Sequence, residues 1–149
     1  MARVAPGKTT DVLLGTRTKV LGFDASAAKE ARRAVGEALV SFGLDHAVTP
    51  AQLCTTELVN EALLSGESPL VLVMAHWTDC VQVTLIDGAK EYDRRADVGP
   101  YAESRIRTRI VEGTASNWGR SAVPAGMAAW FDVDTHGGPD GSSLLEQGS

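Results

Sequence analysis

Two apolar stretches, Leu70 to Trp77 and Cys80 to Asp87, are separated only by Thr78-Asp79, and this pairing constrains the fold more than any other feature. Runs this rich in valine and leucine, joined by so tight a link, predict an antiparallel hairpin. In the second run Val81, Val83 and Leu85 alternate with Gln82 and Thr84, which predicts one buried face and one wetter face. A lone hairpin is marginal in water, so its apolar face must be covered by other elements.

The residues upstream supply the cover. A first strand is expected at Lys19–Phe23. Ser26 is then placed to cap a helix reaching Phe42, with Ala27, Ala31, Ala34, Val35, Ala38, Leu39 and Phe42 at helical spacing and Gly43 as the stop. Thr49-Pro50-Ala51-Gln52 reads as a capping box with proline at the first helical position, opening a helix that runs to about Ser65 and ends at Gly66. Beyond the hairpin, residues 88–102 read as a polar loop. A third, weaker helix is expected near Glu103–Asn117, and Trp118–Ser121 with Met127–Val133 form a second hairpin. The order β-α-α-β-β-α-β-β predicts an α+β two-layer sandwich, helices on one face of a mostly antiparallel sheet.

The chain has 149 residues, enough for one domain with its own core. Residues 1–17 carry no pattern and are expected to be a flexible segment. Residues 135–149 are polar and glycine-rich and are expected to be a disordered tail, leaving 18–134 as the folded unit. A net charge of −5 argues against direct nucleic-acid binding. The longest apolar run, Leu70 to Ala75, is too short to span a bilayer, and the first residues lack the apolar stretch of a signal peptide. Cys54 and Cys80 form no CxxC pair and read as small buried hydrophobes, which points to a reducing, cytoplasmic setting. His46, His76 and His136 converge on nothing, and the three tryptophans read as core or sheet-edge residues.

Three stretches carry a family resemblance: Ala31-Arg32-Arg33-Ala34-Val35 with Gly43-Leu44 after it, Thr56-Glu57-Leu58-Val59-Asn60-Glu61-Ala62, and Asn117-Trp118-Gly119 leading to Ala129-Trp130-Phe131-Asp132-Val133. In this order around Asp87 they resemble the GHKL (Bergerat) ATP-binding fold, and within it the short RsbW-type anti-sigma factors that double as serine kinases. The resemblance covers about residues 20–133.

The resemblance implies a general base at Glu57, a Mg²⁺-holding asparagine at position 61, and an adenine-reading aspartate at Asp87 with Gly88 beside it. Position 61 is Glu61 instead, and Asn60 points about 100° away on the helix. Two carboxylates at i and i+4 repel unless a cation lies between them. Read as plain residues, Glu57 and Glu61 are solvated helix charges and Asp87-Gly88 is a strand-ending turn. A helical projection sets Glu57 between Leu53 and Leu64, opposite the stripe of Leu58 and Ala62.

Family members open the third helix with a glycine-rich stretch that closes over the phosphates. Here those positions read Arg105-Ile106-Arg107-Thr108, so arginines replace the glycines. A Cβ restricts positive φ and blocks close backbone approach to phosphate. Arg105, Arg107 and Arg109 read instead as an exposed basic helix start, as a surface for an acidic partner, or as side chains that capture phosphate themselves. The expected function is therefore regulation by binding: holding a sigma factor or related transcription regulator, with no cofactor required and kinase activity lost or weakened. Homodimerisation and release by an anti-sigma-factor antagonist are further expectations. The rival expectations are an active kinase, using ATP with Mg²⁺ to phosphorylate a serine of that antagonist, and a scaffold unconnected with sigma factors.

Overall fold

In a computed structural model of the chain, residues 12–89 and 115–135 are described. They comprise β1 (Leu13–Leu21), α1 (Ala27–Ser41), a 3₁₀ turn (Asp45–Ala47), α2 (Val48–Ser65), β2 (Leu70–Trp77), β3 (Cys80–Asp87), β4 (Asn117–Val123) and β5 (Gly126–Asp134). The five strands form one fully antiparallel sheet in the order β1-β2-β3-β5-β4. The molecule is α+β, with both helices on one face of the sheet.

The β2–β3 hairpin falls where the sequence predicts it, with Leu72 opposite Leu85 and Met74 opposite Val83. These residues, with Val81, Phe131 and Val133, form the sheet's contribution to the core. Helix α1 answers with Ala27, Ala31, Val35, Ala38 and Leu39, and α2 with Ala51, Cys54, Leu58, Val59 and Ala62. Alanines along α1 bring its backbone close to its neighbours. Gln52 Nε2 donates to the Arg32 carbonyl at 2.9 Å, and Arg32 Nη1 donates to Thr56 Oγ1 at 3.2 Å, which ties the helices together. Gly43, at φ +80°, ends α1 in the left-handed conformation that glycine accepts without strain.

Several sequence expectations need correction. The first strand is Leu13–Leu21, not Lys19–Phe23, so residues 13–17 belong to the sheet and not to a flexible segment. Pairing of Arg17 with Met74 and Thr16 with Ala75 recruits them, a contact no local pattern reveals. Ser26 makes no side-chain cap bond; its amide and hydroxyl both donate to Asp24 Oδ1, holding the Asp24 carboxyl below its ordinary range. Thr49-Pro50-Ala51-Gln52 is not a capping box, because the helix starts at Val48 from the 3₁₀ turn. Pro50 is tolerated in that first turn, where its missing N–H has no intrahelical acceptor to lose.

The wetter face expected of β3 is buried too: Gln82 and Thr84 are nearly as inaccessible as the valines. Gln82 Nε2 donates to Asp132 Oδ1 of β5 across the strand pair at 3.1 Å. The closing hairpin is slightly longer than expected, and Asn117 begins β4 instead of ending a helix. The rest of the expected third helix and residues 1–11 and 136–149 lie outside the described residues. Among the described residues no helix is long and apolar enough to cross a membrane.

Candidate functional site

The residues of α2 are distributed against the usual rule. Glu57 and Glu61 are only 8% and 6% exposed, whereas Leu53 and Leu64 on the same side are 39% and 75% exposed. Carboxylates are among the residues least often fully buried, and they are buried when paired. The alternative reading of the two glutamates as solvated helix charges is therefore overturned.

One partner of Glu61 comes from the far edge of the sheet. Arg120 of β4 donates a charge-assisted hydrogen bond from Nη2 to Glu61 Oε1. The sheet's alternation explains the geometry. Arg120 is opposite Ala129 and Trp118 opposite Phe131, so both arise on the face that looks toward the helices. The ion pair links residues 59 apart in sequence, and its side chains are 18% and 7% exposed. The sequence reading did not single out Arg120. Its only signal was position, two residues after Trp118 on the same strand face.

Asp87 closes β3 beside the end of α2. Its Oδ1 accepts the Ala89 N–H at 2.7 Å, and a Cβ built on Gly66 would stand 2.7 Å from its carboxylate. The Gly88 N–H donates to the Glu67 carbonyl at 2.7 Å, and the space a Gly88 side chain would need is filled by the Ser68 carbonyl and the Pro69 ring. Gly88 is thus required by the chain's own packing. The β4–β5 turn adds to this corner, because Gly126, at φ +151°, lies directly against the Asp87 carbonyl.

Glu57, Glu61 and Asp87 thus share the helix side of the sheet, in that order from the middle of α2 to its C-terminal end. Arg105, Arg107 and Arg109 lie outside the described residues. His46 is exposed, and the half-buried His76 ring packs on Phe42, centroids 4.7 Å apart. Desolvation lowers the His76 pKa. Among the described residues no group of three or more His, Cys, Asp or Glu side chains is arranged to hold a metal ion. Cys54 and Cys80 are free thiols, both buried. Trp77 and Trp130 are buried and Trp118 is half-buried, and Gly119 gives Trp130 the room to lie across β4.

Chemically, this arrangement holds one internally compensated carboxylate, a second carboxylate one turn away, and an aspartate engaged in its own turn. Neither a protein-family model nor a curated protein matches this sequence.

Proposed function

We propose that this chain is a regulatory binding protein of the RsbW-type anti-sigma kind, which holds a sigma factor or related transcription regulator and has lost phosphoryl transfer. The observation that carries the reading is the Arg120–Glu61 ion pair. In the GHKL resemblance, position 61 is where an asparagine would help hold Mg²⁺. In this chain that position bears a carboxylate whose charge is already neutralised by a guanidinium of the same protein. A cation entering there would have to displace Arg120 from a partly buried pair, and phosphoryl transfer depends almost entirely on such positioning and electrostatics. The arginines at 105 and 107, where the family places glycines, weigh in the same direction.

A second reading, an active serine kinase using ATP and Mg²⁺, is favoured by one observation. Glu57, the position of the family's general base, is buried instead of solvated. Asp87 at the end of β3 is compatible with either reading.

Incubation with [γ-³²P]ATP, Mg²⁺ and a candidate antagonist separates the two. The binding reading expects no transfer above background, and calorimetry with ATP or ADP that is unchanged by Mg²⁺. Labelling that disappears in Glu57→Ala would establish the kinase. Co-purification of a sigma factor with the full chain from its native host tests the partner directly, and recovery of none would remove the regulatory part of the reading.

A further inference from the structure

Among the described residues strand β1 is one of the two outer strands of the sheet, and it is exposed along most of its length. Edge strands turn every second pair of backbone N–H and C=O groups outward, ready to accept another strand. Pairing with β2 fixes the faces. Arg17 and Lys19, opposite Met74 and Leu72, lie on the helix side, while Thr16, Thr18 and Val20 lie on the other. All five are exposed, Val20 by 65%.

Charge selects what can add here. The chain carries a net charge of −5, yet Leu13–Leu21 contains two cations and no acid. A second copy laid antiparallel along Thr16–Val20 would set Arg17 opposite Lys19 twice over, and like charges directly opposite are destabilising. An incoming strand with acidic side chains at alternate positions would meet both cations, with β-branched or apolar residues between them covering Thr16, Thr18 and Val20. The same lysine and arginine that reject self-pairing admit such a segment.

We propose that the β1 edge is a docking site for an extended, acidic segment of a partner protein, added as a sixth strand. The inference is independent of the α2 site and of the fate of its nucleotide chemistry.

The test is a titration of ¹⁵N-labelled full chain with a capped peptide alternating Glu with Val and Thr, and with its Lys-for-Glu counterpart. Amide shifts are expected at residues 14–20 and their β2 neighbours, with the acidic peptide bound about tenfold more tightly at low salt from two opposite-charge pairs. The double variant Arg17→Glu/Lys19→Glu, altered only at exposed positions, should reverse that preference. Binding of neither peptide, equal binding of both, or shifts centred away from β1 would overturn the proposal. So would a dimer of the wild-type chain in sedimentation velocity that the double variant abolishes, since a second copy would then occupy the edge.

Discussion

The two helices lie side by side on the same sheet, and both bury an apolar stripe, but they treat their charged residues differently. In α1 the alanines, Val35 and Leu39 face inward while Lys29, Arg33 and Glu37 are exposed, the arrangement expected of an amphipathic helix. In α2 two glutamates are buried while Leu53 and Leu64 face outward. An inverted pattern is costly, and a fold keeps it where something other than core packing is served. The difference separates a helix with an ordinary amphipathic pattern from one that also buries charge.

The sharpest way to break this contrast is to remove the guanidinium. Arg120→Ala takes a guanidinium away from buried Glu61, and the expected loss is about 2–3 kcal/mol in urea unfolding. Arg33→Ala, on the exposed side of α1, should change stability by less than about 0.5 kcal/mol. The companion variant Glu61→Leu/Arg120→Met removes both charges together and should recover most of the loss, because a buried pair replaced by apolar residues is often neutral. If Arg120→Ala is as mild as Arg33→Ala, the pair is a surface contact and α2 is an ordinary helix.

How much of this was legible follows the same division. The β2–β3 hairpin, the apolar face of α1 and the glycine that stops it are set by neighbours in sequence, so periodicity and turn chemistry find them. Glu57, Glu61 and Asp87 could be singled out as residues, but not the burial of the two glutamates. Three things lay beyond local reading because they depend on distant partners. Residues 13–17 become strand by pairing with β2. Gln82 is buried at no great cost because Asp132, 50 residues away, accepts its hydrogen bond. Arg120 reaches Glu61 only because two hairpins and the sheet order bring β4 beneath α2. The apparent capping box at Thr49 misled for a related reason, since the 3₁₀ turn before it had already started the helix.

A smaller effect sharpens the contrast with apolar residues alone. Val35→Ala, in the buried stripe of α1, should cost about 2 kcal/mol from two lost carbon groups and incomplete collapse of the space. Leu64→Ala removes more apolar surface from α2 but takes it from solvent, so less than about 0.5 kcal/mol is expected in the same unfolding measurement. A large loss at Leu64 with no change in α1 would mean that the outward side of α2 is packed in solution, and the inversion would be only apparent.

The smallest expected effect is a dependence on pH that belongs to the α1 side of the molecule. His76 packs against Phe42, immediately after α1, and desolvation lowers its pKa. A histidine with a folded-state pKa below its unfolded value of about 6.5 holds fewer protons when folded. Its contribution is therefore fully present above that unfolded value and is lost as pH falls through the window below it. Thermal unfolding of wild type and His76→Gln across pH 7.5 to 5.5 should show the wild type losing stability more steeply in the lower half of the range. The gap between the two curves isolates His76 from every other titrating group. Parallel curves would mean that the ring stays hydrated in solution. The seam between α1 and β2 would then be looser than the packing of Phe42 on His76 implies, and α1 would be the less well ordered of the two helices.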